Sequence, residues 1–267
     1  MMQVRMPGEA ASGEADLVRT ERDTPCAGSA TLVLDDPRHA NALSPALVAG
    51  LHGALRNAIA SEAKAIVFAS SGERFCAGFD LRDAETLDDA SLRERFDAIE
   101  ALLESVRRAP AVTIAAVRGA ALGAGADLVA ACDYRIGTPQ ASFAFPGSRF
   151  GVVLGTRHLA CVVGRQAALE TLVEGRTLDA HAALRCGLLG EARSVESLQS
   201  RIDDIARRCA SIDIETLRAM LRLVRSEPSE RDRDELLASV ARDGFGERVR
   251  AHAKRVREAR DARRGQR

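Results

Sequence analysis

Two short runs of this chain have almost no polar face: Ala65–Ala69 reads AIVFA and Val112–Val117 reads VTIAAV. A strand that is apolar on both sides has to be covered on both sides, as in a parallel sheet between layers of helices. Asp16–Glu21 and Ser29–Leu34 are interpreted as two further strands. The chain has 267 residues, enough to bury a core of this kind.

Helical patterns lie next to these strands. Ser44–Ser61 carries apolar residues at helical spacing, with Ser44 as its N-cap and Pro45 at the first helical position. A longer helical pattern fills Ser91–Arg108, and Pro110 ends it. Strands and helices therefore alternate in the first part of the chain.

From Thr156 onward the pattern is helical only. Alternating strands and helices followed by helices alone predict a layered α/β core with a helical C-terminal part. We expect a disordered leader over residues 1–14, a core over residues 15–195, and a C-terminal helical region with a basic tail over residues 196–267.

The charge balance limits the partners that the chain can have. It holds 38 basic and 38 acidic residues, so the overall charge favours neither nucleic acid nor a membrane surface. Residues 242–267 alone hold ten basic and four acidic residues, an excess of six positive charges. This tail is either a solvated helix face or a phosphate-binding one, and we expect no nucleic-acid partner.

Cysteine spacing and apolar runs indicate the compartment. The six cysteines are scattered without a C-x-x-C pair, which argues against zinc and against a disulfide framework. The N-terminus lacks the apolar core of a signal peptide, and no run approaches the roughly 20 apolar residues that span a bilayer. We expect a soluble cytoplasmic protein with no metal and no membrane association.

Two glycine-containing turns follow apolar strands, and each is predicted to lead into a helix: Cys76–Asp80 (CAGFD) and Leu122–Asp127 (LGAGAD). A helix start offers free N–H groups and the positive end of the helix dipole. Two such ends aimed at one point would bind a developing oxyanion. A dinucleotide site is disfavoured, because the G-x-G lacks the third glycine and the downstream acid of that fingerprint.

Together these segments resemble the crotonase superfamily, the enoyl-CoA hydratase/isomerase fold. The resemblance covers roughly residues 15–260. The matching segments are LVLDDPRHANALS (Leu32–Ser44), RFCAGFDL (Arg74–Leu81), VRGAALGAGADLVAACDYRI (Val117–Ile136), FAFPGSRFGVVLGT (Phe143–Thr156) and GRTLDAHAALRCGLL (Gly175–Leu189).

The resemblance implies a spiral of ββα units with C-terminal helices that form a homotrimer, often paired into a hexamer. It implies an acyl-CoA substrate of fatty acid metabolism and no cofactor beyond the coenzyme A of that substrate. The thioester oxygen would lie between the backbone N–H groups of Phe79 and Ala124.

The resemblance also implies a set of residues around the substrate and its CoA moiety, with Asp80 expected in addition to cap the following helix. This set is Arg38, His39, Ala40, Asn41, Cys76, Ala77, Gly78, Asp80, Gly123 and Gly147.

The chain departs from the family pattern at its acids. Family hydratases use two glutamates, and this chain has Asp127 at the first position and Gly147 at the second. Asp127 is either the catalytic acid or base, or a helix-terminal acid that the dipole stabilises. Arg149 could anchor an anionic acyl group, although such an arginine is more often a surface residue.

Several functions therefore remain open from the sequence. The favoured one is an enoyl-CoA hydratase or isomerase that stabilises a thioester enolate. A decarboxylase or hydrolase with one carboxylate also fits the two turns. A non-catalytic acyl-CoA binding protein fits the altered acids, and a nucleic-acid binder would depend on the basic tail.

Overall fold

The protein was analysed as a computed structural model that describes residues 17–21, 28–225, 237–238, 240–241 and 243–264. The proposed leader over residues 1–14 lies outside the described residues. The α/β class is confirmed, since strands and helices alternate through the first two thirds of the chain.

The strands of the described residues lie in two sheets. They are β1 Val18–Glu21, β2 Ser29–Leu34, β3 Ala65–Ser70, β4 Val112–Val117, β5 Ala120–Leu122, β6 Tyr134–Gly137, β7 Ser142–Ala144, β8 Leu178–Asp179 and β9 Glu191–Ala192. The main sheet has the order β1-β2-β3-β4-β6-β9 and is parallel apart from the antiparallel pair of β1 and β2. The second sheet has the order β5-β7-β8.

The helices that the structure delimits are α1 Pro45–Ala60, α2 Asp89–Arg107, α3 Ala124–Ala130, α4 Thr156–Val163, α5 Arg165–Glu174, α6 Ala180–Arg185, α7 Val195–Ala210, α8 Ile214–Val224 and α9 Phe245–Arg264. Two 3-10 turns, Pro37–His39 and Pro146–Phe150, lie in the loops. Within the described residues, no helix is both long and apolar enough to cross a membrane.

The predicted strands β3 and β4 are confirmed, and both are buried because helices cover each face of the main sheet. On one face lies a core to which α1, α2 and α3 contribute. On the other face α7 packs Leu198, Ile202 and Ile205 against Val67 and Ile114 of the two strands. Part of the predicted C-terminal region is thus one layer of the core.

Helix α1 is confirmed with its predicted cap, since the Leu47 N–H donates to the Ser44 hydroxyl oxygen at 3.2 Å. Helix α2 begins two residues earlier than the sequence predicts. Asp88 is its N-cap, and the Ser91 N–H donates to the Asp88 carboxylate at 2.8 Å. The side-chain cap decides the start, because it satisfies an N–H that the first turn leaves without a partner.

The second sheet is too short to be predicted from the sequence, and it positions the glycine turn before α3. Strand β5 is parallel to β7, and the Gly123 N–H donates to the Ala144 carbonyl oxygen at 2.8 Å. The turn at Gly123 is therefore held at the edge of this sheet, where α3 begins.

One cluster of hydrogen bonds ties α8 to the main sheet. The Arg225 guanidinium binds the Asp133 carboxylate at 2.9 and 2.5 Å and the carbonyl oxygens of Ala109 and Ala111. Asp133 also accepts the Thr113 N–H at 2.8 Å. Because both charged side chains are largely buried, this pair connects the C-terminal helices to the start of β4.

We expect Arg225→Ala to lower the free energy of unfolding by about 2 kcal/mol, because it leaves Asp133 and two carbonyl groups without their partner. Arg176→Ala is the control, since Arg176 forms only exposed ion pairs with Glu170 and Glu174; its loss should be below about 1 kcal/mol. Urea unfolding followed by circular dichroism measures both. Equal losses in the two variants would contradict the assignment.

Candidate active site

Two segments predicted to surround the substrate lie side by side in the structure. The Ala77 N–H donates to the Ala40 carbonyl oxygen at 3.0 Å, and the Leu43 N–H donates to the Gly78 carbonyl oxygen at 2.7 Å. The loop over residues 38–41 and the segment over residues 76–80 therefore form one surface. Arg38 and His39 are exposed on it, and the His39 ring nitrogen pairs with the Asp36 carboxylate at 2.7 Å.

Asn41 and Cys76, two members of the predicted CoA-binding set, hold the loops together. The Asn41 side chain is fully buried, and its amide donates to the carbonyl oxygens of Ser71 and Arg74, both at 3.0 Å. The Cys76 thiol donates to the Asn41 carbonyl oxygen at 3.0 Å, and burial raises the pKa of that thiol to about 12. Both side chains are thus buried and hold the loops in place through hydrogen bonds to backbone carbonyl groups.

The segment over residues 76–79 crosses the turn before α3 at a backbone-to-backbone contact. A Cβ on Gly125 would lie 2.6 Å from the Cys76 carbonyl oxygen and 2.8 Å from its sulfur. A Cβ on Gly78 would overlap the Leu122 carbonyl oxygen and lie 3.2 Å from the Ala124 nitrogen. Gly78 also has φ +83°, a conformation that favours glycine. Only glycine permits this approach.

The crossing brings together the two amides predicted as the oxyanion site. The Gly78–Phe79 peptide lies beside the Ala124 nitrogen, at the first residue of α3. Within the described residues, neither the Phe79 N–H nor the Ala124 N–H donates a hydrogen bond. Ala124 is buried, and buried N–H groups without a partner are rare in proteins. A ligand oxygen would supply the missing acceptor.

The prediction that the first turn leads into a helix capped by Asp80 is wrong. The next helix is α2, which begins at Asp89 and is capped by Asp88. The buried Asp80 carboxylate instead accepts hydrogen bonds from the Arg82 N–H at 3.1 Å and from its guanidinium at 2.6–3.0 Å. The Asp80 carboxylate is therefore bound by Arg82, two residues along the chain, and does not cap a helix. Only Ala124 therefore stands at a helix start.

Phe79 is anchored through its ring. The ring stacks on Phe96 of α2, with centroids 4.3 Å apart and planes 7° apart. Phe96 in turn meets the buried Phe245 of α9 edge to face, with centroids 5.6 Å apart. Aromatic pairs in these geometries are favourable beyond their buried area. The packing of the Phe79 ring thus helps to fix the position of the Phe79 N–H, in addition to the backbone contacts.

Gly147 lies close to the second turn, and one backbone contact is tight at its Cβ position. Its neighbour Pro146 lies 3.9 Å from the Cβ position of Gly123. A Cβ on Gly147 would lie 3.1 Å from the Val152 carbonyl oxygen, and the Gly147 carbonyl oxygen accepts the Val152 N–H at 3.0 Å. The backbone therefore closes tightly around the position where the family places its second acid.

Arg149 does not serve as the anchor for an anionic acyl group that the sequence allowed. Its guanidinium is exposed and donates to the Glu174 carbonyl oxygen at 3.5 Å, at the C-terminal end of α5. A cation there interacts favourably with the negative end of the helix dipole. The alternative interpretation of a surface, helix-terminal residue is the one that the structure supports.

Asp127 lies one turn after Ala124 on α3 and is buried, with 4% of its surface exposed. Its Oδ1 is buried and has no hydrogen-bond partner within the described residues. Desolvation and the nearby Glu100 carboxyl raise the pKa of Asp127 well above its usual value. Burial of this kind favours the protonated form of an acid, which can deliver its proton to a substrate.

Glu100 of α2 is a second buried carboxyl group in this region that sequence reasoning missed. Only 6% of its surface is exposed. Its neighbours on the same helix face, Phe96, Ile99 and Leu103, are buried apolar residues. A glutamate on the apolar face of an amphipathic helix was the available signal, because glutamate is almost never fully buried unless paired.

A cavity of about 290 Å³ lies next to these two carboxyl groups. It is lined by Glu100, by Val153, and by residues at the start of α4 that include Gly155, Arg157 and His158. A Cβ on Gly155 would overlap the Asp127 carboxyl group, so Asp127 lies directly against Gly155. Glu100 thus lines the cavity, and Asp127 contacts another residue of its lining.

The arrangement combines two amides without partners with buried acids that can exchange protons. Such an arrangement can stabilise negative charge on a thioester oxygen while a proton is transferred at the adjacent carbon. Among the described residues, no group of three or more histidine, cysteine, aspartate or glutamate side chains could hold a metal ion.

Comparisons with known proteins agree with this description. The sequence model of the family described as enoyl-CoA hydratase/isomerase matches residues 26–242. The enoyl-CoA hydratase domain-containing protein 3, mitochondrial, of Danio rerio is 33% identical over 211 residues, which cover 78% of this chain and 71% of that protein. Its Mus musculus counterpart is 34% identical over 192 residues, which cover 69% of this chain and 63% of that protein.

A solved structure extends the likeness to three dimensions. A Bordetella parapertussis protein, provisionally described as an enoyl-CoA hydratase/isomerase, superposes with a TM-score of 0.85 at 36% sequence identity. The superposition covers 88% of this chain and 98% of that one. The likeness thus extends through nearly the whole of that solved chain.

We expect Gly78→Ala to lower the free energy of unfolding by about 2 kcal/mol or more, because a methyl group adds strain at positive φ and overlaps the Leu122 carbonyl. Gly53→Ala in α1 is the matched control: a Cβ there meets nothing within 4 Å, and alanine should stabilise the helix by about 0.5–1 kcal/mol. Chemical denaturation measures both. A neutral Gly78→Ala would show that the two turns are not held in contact.

Asp127→Asn should stabilise the fold, and the gain should grow with pH. The folded-state pKa of Asp127 is raised, so its favourable contribution is complete below the unfolded pKa and is lost as pH rises through the folded one. Asparagine has no such loss. Asp213→Asn is the control of opposite sign, since hydrogen bonds from Thr216 lower the pKa of Asp213. Unfolding measured from pH 4 to pH 9 tests both, and a pH-independent difference at Asp127 would contradict the raised pKa.

Proposed function

Because the chain belongs to the enoyl-CoA hydratase/isomerase family, we propose that it acts on an enoyl-CoA thioester by stabilising its enolate, with Asp127 as a proton-transfer group. The observation that carries the proposal is that two adjacent amides lie one helical turn from a buried acid, and that both amides and the acid's Oδ1 have no hydrogen-bond partner among the residues that the structure describes. The chain spans about two thirds of the length of the curated relatives cited above, so the reaction is proposed for this chain from its own residues.

The thioester oxygen would bind between the Phe79 and Ala124 N–H groups. Charge develops on that oxygen when a proton leaves or joins the α-carbon, and donors fixed in advance stabilise it without reorganisation. The Ala124 N–H adds the positive end of the α3 dipole. The backbone contact at Gly78 supports this role, because it fixes the two amides relative to each other.

Asp127 would transfer the proton at the α-carbon. It is one helical turn from Ala124, so an acyl group held at the amides has its first carbons near α3. The burial that raises the pKa of Asp127 suits it both to donate a proton at neutral pH and to act as a stronger base when ionised. Both hydration and double-bond isomerisation need a proton transfer at this carbon.

The CoA nucleotide would lie along the surface over residues 38–41 and 76–80. Arg38 is exposed there and is available to a phosphate group. We also propose the assembly that the family resemblance implies, a homotrimer or a hexamer of two trimers. A cytoplasmic location stays a prediction, and the Danio rerio relative is named mitochondrial.

The proposal is tested by incubating the protein with a four-carbon 2-enoyl-CoA in deuterated water and analysing the thioesters by mass spectrometry. We expect either addition of water or deuterium at the α-carbon of the unhydrated thioester. Asp127→Asn should reduce whichever reaction occurs by at least about 100-fold, the usual contribution of a general acid or base.

Glu104→Gln is the matched control, since Glu104 lies on α2 in an ion pair with Arg108 at 2.8 Å and contacts neither turn. It should keep the activity of the wild type. Tight thioester binding by the wild type, with neither water addition nor deuterium incorporation, would contradict the proposal. That result would instead favour the non-catalytic acyl-CoA binding protein.

A further inference from the structure

Glu100 is a buried carboxyl group with no role in the chemistry proposed above. It projects from α2 into the region behind the oxyanion turns and lines the cavity of about 290 Å³ beside Gly155. The Asp127 carboxyl group lies against Gly155, which is part of the same cavity lining. The two carboxyl groups are close enough for the charge of Glu100 to act on Asp127.

Gly147 carries no carboxyl group, so a second acid for hydration has to come from elsewhere in the fold. A side chain there would press on the Val152 carbonyl oxygen, and the local backbone is closed by the hydrogen bond between Val152 and Gly147. Hydration of an enoyl thioester needs a base for the water as well as an acid for the α-carbon. Of the two buried carboxyl groups around the cavity, only Glu100 is left for the water.

We propose that Glu100 is the second proton-transfer group of this site, which makes the reaction hydration of a 2-enoyl-CoA, with the attacking water held in the cavity that Glu100 lines. The inference rests on the proposed function, since it needs the thioester bound at Phe79 and Ala124. It assigns the two carboxyl groups different tasks. Asp127, near the oxyanion turn, serves the α-carbon, and Glu100, on the cavity wall, serves the water.

The step balances as follows. The Glu100 carboxylate accepts a proton from water while the water oxygen forms a bond to the β-carbon. The π electrons of the double bond move toward the carbonyl group and give the enolate, whose oxygen the two N–H groups hold. The Asp127 carboxylic acid then gives its proton to the α-carbon. One proton is accepted and one is given, so the product contains one added water and the pair keeps a single proton.

The electrostatics of the pair support this division. Two carboxyl groups in a shared buried region do not ionise together easily, so one stays protonated while the other is ionised. Desolvation and the nearby Glu100 raise the pKa of Asp127, which agrees with Asp127 as the protonated member of the pair. The cavity also has Arg157 and His158 of α4 in its lining, so two further ionisable side chains lie next to Glu100.

The test separates the two tasks with two reactions. Hydration of a four-carbon 2-enoyl-CoA needs both carboxyl groups, whereas exchange of the α-proton of the saturated four-carbon acyl-CoA in deuterated water needs only Asp127 and the oxyanion turns. Glu100→Gln should lower hydration by at least about 100-fold and, when each protein is compared at the high-pH plateau of its exchange profile, leave α-proton exchange within about threefold of the wild type. Asp127→Asn should lower both reactions, and Glu104→Gln should lower neither.

A pH profile adds a readout that a purely structural role for Glu100 would not move. Exchange by the wild type should rise with pH as Asp127 ionises. In Glu100→Gln this rise should shift to lower pH, because the neighbouring negative charge that disfavours ionisation is gone. Circular dichroism and binding of an unreactive CoA thioether verify that the variants are folded and bind the ligand.

The possible results are distinct. Full hydration by Glu100→Gln would overturn the inference and leave the proposed function standing, as would a wild type that exchanges the α-proton without hydrating. Loss of both reactions in a folded, ligand-binding Glu100→Gln would also overturn it, because Glu100 would then only position Asp127. A wild type with neither reaction would overturn the proposed function itself.

Discussion

The contact between two backbone turns is the constraint on which the candidate site depends. The segment that carries Phe79 runs between the loop at Ala40 and the short second sheet, and hydrogen bonds hold it on both sides. Where it crosses the turn before α3, Gly78 and Gly125 allow main chain to meet main chain. Donors fixed in this way are preorganised, because no flexible side chain has to find its place when charge develops. A side chain at either glycine would overlap the backbone of the other turn and so displace the two amides relative to each other.

Local patterns were sufficient for the larger elements and for marking the two glycine turns, whereas the meeting of the turns came from the family resemblance. The apolar runs of β3 and β4 and the capped helix α1 follow from periodicity and end signals that lie within a few residues. The two glycine turns could be identified because a glycine between a strand and a helix allows positive φ and close approach to the backbone. Strands of two or three residues, such as β5 and β8, carry no periodic signal, and their pairing depends on contacts between distant parts of the chain.

The errors have a common cause, since they concern side chains whose partners a local rule does not identify. Asp80 fits the rule for a helix cap, but Arg82 takes its carboxylate and Asp88 caps α2 instead. Glu100 could not be assigned to the site from the sequence, because it comes near Asp127 only when α2 packs near α3. Its sequence signal, one acid on an apolar helix face, has several ordinary explanations.

A buried pair of acids is retained against its own effect on stability. Each ionised carboxylate in a dry site is unfavourable, and Asp127 has an oxygen with no partner to offset the loss of water. Such sites are typical of function, where a perturbed pKa is required for the chemistry. In the proposed reaction the backbone frame around Phe79 and Ala124 would hold the enolate oxygen, but it would not fix which helix supplies the acids. The frame and the proton-transfer groups are therefore separable, and the proposed role of Glu100 would take one acid from α2 instead of from the position of Gly147.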